Sequence, residues 1–315
     1  MRAVHVSAPG VPAVLIDMPI PEVSEGTVLI RVRAAGLNAI DNANAAGAMS
    51  EMLAHEYPLV LGRDAAGIVE AVGEGVDHVS VGDHVMGHML LAPPIQAGTL
   101  AEYALLPAET VVSLPADLDF AAAAALPLAG AAAYACVTAL DIQGGEVVLI
   151  NGATGGVGSY VIQLRADRGA SVIATGTPAD AERLIVLGAT EVIGFTAGLV
   201  ADQVLDTHPS GVDALVELVA YAPDASPLTA VKPGGRVVST TGHPTHEVLN
   251  TANLSGVTVM APPVRGTTPP LVELAAAGKL SIEVSTVLPL EQASEGLATI
   301  AAGQARGKIV VTVGG

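Results

Sequence analysis

Cysteine is almost absent from this sequence: Cys136 stands alone among 315 residues. One thiol cannot close an internal disulfide or build a cysteine-based zinc centre, and it points to the reducing cytosol. Aromatic residues are nearly as scarce, with two Phe, five Tyr and no Trp, so the core has to be assembled from Ala, Val, Leu and Ile. Positive charge is the third shortage. Thirteen Lys and Arg face 31 Asp and Glu, a formal net charge of −18. Duplex binding needs cations to neutralise phosphates, and an anionic membrane face repels an acidic surface, so both kinds of partner are disfavoured. An anionic ligand then has to be held by backbone N–H groups or by a few chosen cations. The first residues, Met1 to Val6, read as a strand and lack a signal peptide's apolar stretch and cleavage site.

What is present is a globular composition. With 51% of residues apolar and 14% charged, disorder is excluded despite the net charge. The 35 Gly and 21 Pro, which show no three-residue period, rule out a coiled coil and a collagen-like chain. At roughly 150 residues per domain the length accommodates about two domains. The charge-free run from Phe120 to Leu140 is long enough to cross a bilayer. It is rich in Ala, interrupted by Pro127 and Gly130, and has no basic flank. A buried, closely packed helical segment is the better reading.

Up to about residue 115, short β-like runs alternate with turn residues: 28–34, 67–72 and 110–114. Their close spacing suggests a barrel-like β domain. From about residue 121 the rhythm changes to strands separated by helix-length segments, with strands at 147–150, 171–175, 191–193, 213–217 and 236–240. Such alternation implies βαβ units and a parallel sheet covered on both faces. Near the C-terminus, 271–278 and 290–303 read as helices, and 284–288 and 308–313 as strands.

The most informative stretch runs from Val147 to Val161. A buried strand enters a glycine-rich turn and then a helix, with Ala153, Gly155 and Gly158 giving A-x-G-x-x-G. This is the dinucleotide fingerprint with its first Gly replaced by Ala. Gly155 admits a pyrophosphate close to the backbone, Gly158 lets helix and strand pack closely, and the helix N-terminus around Thr154, Gly155, Gly156, Val157 and Gly158 offers N–H donors to an anion. A merely structural tight turn is the alternative. The tip of the second strand, Ala174 to Pro178, carries no acid to accept the ribose diol. That permits the 2′-phosphate of NADPH, with Thr175 and Thr177 as candidate donors and Arg183 as a nearby cation. The alternative is that these threonines cap a turn and that Arg183 is a solvated helix residue.

On these residues the chain resembles the medium-chain dehydrogenase/reductase superfamily, in its zinc-independent quinone oxidoreductase-like branch. The motifs arrive in family order over essentially the whole chain: Ala35 to Asp41, Pro58 to Gly67, Val81 to Val85, Gly98 to Tyr103, Ala123 to Pro127, Gly155 to Gly158 and Gly307 to Val310. The resemblance implies an α/β protein with a discontinuous GroES-like β-barrel catalytic domain (1–120 and 261–315). A doubly wound Rossmann dinucleotide-binding domain (121–260) is inserted between its parts. It also implies hydride transfer from NADPH to a quinone or activated alkene, a small apolar electrophile as substrate, and a homodimer.

Asn38 and Asp41 match the family's Asn-x-x-Asp at the nicotinamide end of the cleft. Asn38 is expected to hold the carboxamide or a substrate oxygen, and Asp41 to orient its neighbours, unless both serve as helix caps. The strand end at Thr240, Thr241 and Gly242 is expected near the nicotinamide, and the loops 47–57 and 90–98 around the pocket. Where zinc-dependent relatives carry Gly-His-Glu, this chain has Gly62-Arg63-Asp64, so no metal is expected. His55, His78, His84 and His88 show no paired ligand spacing, and His88 is the one to watch for facing the cleft. Ala43, Ala45 and Ala132 replace a Tyr, a basic residue and a Thr common in the family, and no Lys follows Thr177. A side-chain proton donor is therefore not identifiable. An enoyl reductase acting on a thioester or polyketide intermediate, and a low-turnover NADPH-binding structural or sensing protein, are the alternative functions.

Overall fold

The computed structural model describes residues 1–115, 117–222, 225–261 and 264–314, without the side chains of Val264 and 266–269. In chain order the strands of the N-terminal part are β1 (Arg2–Val6), β2 (Val14–Asp17), β3 (Thr27–Gly36), β4 (Leu59–Val60), β5 (Asp64–Val72), β6 (His84–His88), β7 (Tyr103–Pro107) and β8 (Val111–Ser113). Helix α1 (Ala39–Ala46) follows β3, and α2 (Phe120–Ala125) and α3 (Pro127–Leu140) follow β8. Then come β9 (Val147–Asn151), α4 (Gly156–Ala166), β10 (Ser171–Gly176), α5 (Ala181–Val186), β11 (Glu191–Gly194), α6 (Val200–Thr207), β12 (Val212–Glu217) and β13 (Val231–Ser239). The chain closes with α7 (His246–Thr251), β14 (Ser255–Thr258), α8 (Val264–Ala276), β15 (Val284–Pro289), α9 (Ala293–Ala301) and β16 (Lys308–Thr312).

Two compact units result. The first comprises Met1–Ala131, Pro263–Ala277 and Ile282–Gly315, and the second Ala132–Pro262 with Gly278–Ser281. The first unit extends past residue 120 because α2, a run of alanines, packs on β3 and β5. Its sheet runs β15-β16-β3-β5-β6-β8, with β7 also paired to β3, beside a three-stranded sheet β2-β1-β4. Strand β16, from the end of the chain, is antiparallel to β3, so both chain ends build this unit. The core is aliphatic, with Val28, Ile30, Leu61, Leu100, Leu106 and Val311 among its members.

In the second unit six parallel strands lie in the order β11-β10-β9-β12-β13-β14. The order reverses beside β9, the switch point at which open α/β sheets place their ligands. The central strands β9 and β10 are buried at nearly every position, as doubly covered parallel strands require. Strand β14 was not anticipated from sequence, since Ser255-Gly256-Val257-Thr258 has too little apolar content to stand out. Cys136 is fully buried. So is Arg165 on α4, which donates to the carbonyls of Val137 at 2.6 Å and Ile142 at 3.2 Å and thereby binds the C-terminal turn of α3. The charge-free run is divided at Leu126 into α2 and α3, with Pro127 as the first residue of α3, where its missing N–H costs nothing. Among the described residues, no helix is long and apolar enough to cross a membrane.

Candidate active site

The glycine turn between β9 and α4 is built as a cradle. Gly152 has φ +93° and closes the turn, so it supplies the conformational freedom that the sequence pattern sought at Ala153. Ala153 is fully buried. A Cβ on Gly158 would lie 2.5 Å from the Gly152 carbonyl oxygen and 2.6 Å from Ala153 Cα, so close helix-to-loop packing demands glycine there. Gly155 differs. Its φ is −81°, and a Cβ on it would meet only the Gly152 carbonyl oxygen, at 3.7 Å. Nothing among the described residues requires glycine at 155, which leaves open space on the outer side of the turn. The N–H groups of Gly156, Val157 and Gly158 begin α4 and have no acceptor outside the helix among the described residues.

The side chains expected to grip a phosphate are instead committed to holding this loop. Thr175 is buried and accepts from the Gly152 N–H at 2.9 Å while donating to the Ile150 carbonyl at 3.3 Å. Thr177 donates its hydroxyl to Asp180 Oδ2 at 2.7 Å, and its N–H reaches the same oxygen at 2.8 Å. Neither threonine is the free donor the sequence suggested. The acid-free reading of the strand tip is also corrected, because Asp180, four residues beyond β10, folds back onto Thr177 and is buried. Arg183 Nη2 donates to the Thr154 carbonyl at 3.1 Å and so ties α5 to the turn.

Glu217, fully buried at the end of β12, was missed from sequence. Its carboxylate accepts from Asn151 Nδ2 (3.1 and 2.9 Å), the N–H groups of Val219 and Ala220 (both 2.9 Å) and Ser226 Oγ (2.8 Å). A carboxylate directly after the apolar run Ala214-Leu215-Val216, at the buried end of β12, was the available signal. Thr241 Oγ1 donates to the Ala220 carbonyl at 2.5 Å and fixes the same turn. The Thr240 N–H donates to the Glu217 carbonyl at 3.2 Å. Gly242, with φ +83°, is exposed with open space where a side chain would be. Thr154 to Gly158, Thr175, Thr177, Arg183 and Thr240 to Gly242 therefore gather at the carboxyl ends of β9, β10 and β13.

The first unit carries a different kind of site. Lys308 Nζ, almost completely buried, donates to Asp64 Oδ2 (2.9 Å), Asn38 Oδ1 (2.6 Å) and the Leu37 carbonyl (3.1 Å). Asn38 Nδ2 donates to Asp64 Oδ2 at 2.9 Å and the Gly36 carbonyl at 3.2 Å, and Asp64 Oδ1 accepts the Leu128 N–H at the start of α3 at 2.7 Å. Both amide protons of Asn38 are thereby occupied, so its side chain does not donate to a carboxamide as expected. Asp41 accepts the Asn38 N–H on Oδ2 at 2.8 Å, one arm of a capping box, while its Oδ1 is buried without a partner among the described residues. Burial outweighs that hydrogen bond and the charge of Arg63, and pushes the Asp41 carboxyl up to about 7.

Both ring nitrogens of His88, Thr99 Oγ1 and Asn44 Oδ1 are likewise buried, with no hydrogen-bond partner among the described residues. Burial pushes His88 down to about 4, so it is neutral. Of the histidines it was the one to watch, and it is buried on β6 opposite Asp64. His55 Nδ1 lies 2.6 Å from the Leu53 carbonyl, His78 Nε2 lies 3.2 Å from that of Val111, and His84 is exposed against the Phe120 ring. The loops 47–57 and 90–98 are tied to each other by Ile95 N–H to the Ala54 carbonyl (2.8 Å) and Glu56 N–H to the Ile95 carbonyl (3.1 Å).

Comparison with known proteins decides the family. Over 304 residues the chain is 32% identical to a quinone oxidoreductase of Lama guanicoe, covering 92% of this chain and 88% of that one. The chain belongs to the quinone oxidoreductase-like branch of the medium-chain dehydrogenase/reductase superfamily. Residues 24–116 of this reductase match the alcohol dehydrogenase GroES-like domain and 187–311 the zinc-binding dehydrogenase family. The structure of a quinone oxidoreductase from Coxiella burnetii superimposes with a TM-score of 0.89 at 30% identity, covering 100% of this chain and 99% of that one. An NADPH-dependent alkenal/one oxidoreductase of Arabidopsis thaliana is 34% identical over 72% of this chain, spanning 58% of that protein.

The metal implied by the second family description does not fit the reductase's residues. Arg63 and Asp64 stand where a zinc-binding His and its neighbour would be, and Asp64 is consumed by Lys308, Asn38 and Leu128. Among the described residues no three His, Cys, Asp or Glu side chains are grouped to hold an ion. A dinucleotide fits better, since the open side of Gly155 and the N–H groups at the start of α4 form a pyrophosphate cradle.

Proposed function

We infer that the protein is an NADPH-dependent oxidoreductase, working without zinc, that passes hydride to a quinone or an activated α,β-unsaturated alkene. The observation that carries this reading is the cradle whose Gly155 has no internal reason to be glycine and opens beside unpaired N–H groups. NADPH dependence and alkenal or enone reduction appear in the description of the Arabidopsis relative, and quinone reduction in those of the guanaco and Coxiella proteins.

Gly155 to Gly158 would hold the pyrophosphate, with Thr175 and Arg183 keeping the turn in place. Bound there, the cofactor supplies hydride. The grip on a 2′-phosphate is weak, because Thr177 is spent on Asp180 and the Asp180 carboxylate disfavours a second anion, so preference for NADPH over NADH is modest. Conjugation stabilises the anion formed from a quinone or enone, so a strong side-chain acid is dispensable. Asn38, held by Lys308 and Asp64, acts as a positioning residue for the wall of the first unit.

The lone thiol, pushed up to about 12 by burial, suits the reducing cytosol. Strand β14 ends the sheet order among the described residues, and Val257 on it and Met260 just after it are exposed, which suits a homodimer. Steady-state NADPH oxidation across a quinone, an enone and an enoyl thioester tests the reading. Turnover with the first two is expected, and no oxidation with any acceptor overturns it.

A further inference from the structure

Helix α1 is held in the first unit by polar side chains rather than apolar ones. Its two buried residues are Asp41 and Asn44, three positions apart on one face. Each leaves its Oδ1 buried with no hydrogen-bond partner among the described residues. The apolar side chains of the helix, Ile40 and its alanines, are at most half-buried. Few further ties are made: Asn42 Nδ2 donates to the Leu297 carbonyl on α9 at 2.9 Å, and the Ala45 carbonyl accepts the Gly10 N–H at 2.9 Å. Gly47, with φ +69°, ends the helix, and the loop that follows carries Met52 at 79% exposure. An element with so little buried apolar contact is where local opening costs least, and two unpaired buried oxygens lower that cost further.

The charges facing Asp41 are Arg63 and Asp64, at the start of β5, and Lys308 on β16. Lys308 is spent on Asp64 at 2.9 Å. Arg63 makes no ion pair with Asp41 among the described residues; it donates to the Leu90 carbonyl at 2.5 Å. His88 on β6 faces Arg63 and Asp64 in turn. Ionised Asp41 would therefore carry a charge on an oxygen that no donor reaches, whereas a proton on that oxygen removes the charge. Opening the helix brings the carboxyl into water, where it ionises freely.

We propose that α1, with the loop 47–57 that it leads into, is a proton-linked latch: the buried Asp41 carboxyl holds a proton on Oδ1 while the helix is closed and loses it to solvent when the helix opens. In the closed state the carboxyl sits at about 7, against about 4 in water. Opening thus releases a proton between those values, so the opening constant rises about tenfold per pH unit up to about pH 7 and levels off above it. His88 works in the opposite direction, because burial of its neutral form penalises acid, so a loosening on the alkaline side belongs to the carboxyl.

Hydrogen–deuterium exchange of peptides covering residues 42–53, corrected for the intrinsic pH dependence of amide exchange, tests the latch. From pH 5 to pH 7 protection should fall about a hundredfold, then level off up to pH 8.5, while α6 in the second unit shows no such slope. Asp41→Asn keeps an acceptor for the Asn38 N–H and cannot ionise; it should hold the acid-side protection at every pH. Asn44→Leu removes the other unpaired oxygen without touching the carboxyl. It should raise protection throughout and keep the slope, which reads the proposal even if Asp41→Asn does not fold. A wild-type profile without the slope, a fall that continues through pH 8.5, a slope that survives in Asp41→Asn or one lost in Asn44→Leu overturns the proposal. The measurement uses neither cofactor nor turnover, so its outcome is independent of the hydride-transfer reading.

Discussion

The two units solve opposite problems with opposite materials. The second unit offers an anion only backbone: its polar side chains, Thr175, Thr177 and Glu217, are turned inward to brace the glycine turn and the loop beside it. The first unit turns its side chains on one another: Lys308, Asp64 and Asn38 form a closed buried network, and Arg63 beside it donates to the Leu90 carbonyl and forms no ion pair among the described residues. A backbone cradle tolerates an acidic protein because its donors carry no formal charge. A buried cation needs a frame that holds it where water cannot compensate it.

The largest way to break this contrast is Lys308→Met, which strands the Asp64 carboxylate in the interior. Removing one partner of a buried pair costs about 3–5 kcal/mol, and chemical denaturation should show a loss of that order. The glycine pair gives the next test. Gly158→Ala forces a Cβ into the Gly152 carbonyl and should cost about 1–3 kcal/mol. Gly155→Ala should leave the denaturation midpoint nearly unchanged while weakening NADPH binding by about tenfold or more, roughly 1.4 kcal/mol, in a fluorescence titration. Equal effects of the two substitutions on stability would remove the distinction between a packing glycine and a ligand-facing one.

Titration sharpens the comparison further. The carboxyl of Asp41 is raised to about 7 in the folded protein, so between about pH 4, its unfolded value, and pH 7 the native state holds the extra proton. Stability falls as pH rises through that window and levels off above it. Asp41→Asn should therefore raise the unfolding free energy most above pH 7 and least near pH 4, by a few kcal/mol at most at about 1.4 kcal/mol per pKa unit, read by chemical denaturation across that range. His88 has the opposite sign: its value near 4 means stability is lost as pH falls below about 6.5. The Asn variant should expose that acid-side loss more clearly than the wild type does. The smallest expected effect is that of Thr177→Val, whose hydroxyl serves Asp180. It should shift the NADPH-to-NADH preference by less than about threefold, under ~0.7 kcal/mol.

Backbone features were legible in the sequence because they leave periodic or compositional marks. The apolar runs that became β9, β10 and β12, the Gly155 to Gly158 turn and the late strands β15 and β16 all announced themselves. Burial of individual polar groups left no such mark. Thr175 and Thr177 looked like phosphate donors because sequence cannot show that Gly152 and Asp180 already engage them. Asn38 looked available because its partner Lys308 lies 270 positions away. Asp180 was passed over because the chain folds back after β10. Arg63 was read only as a missing metal ligand, since its isolation depends on where every neighbouring carboxylate ends up.

The division of labour between a backbone cradle and a braced interior is tested most directly by the denaturation midpoint and the KM for NADPH, in para-benzoquinone reduction, of Gly155→Ala and Lys308→Met. The account predicts that Gly155→Ala raises the KM for NADPH about tenfold or more, roughly 1.4 kcal/mol, with the midpoint nearly unchanged. Lys308→Met should lower the midpoint by the equivalent of about 3–5 kcal/mol. An unaffected NADPH KM in Gly155→Ala, or an unchanged midpoint in Lys308→Met, would contradict it.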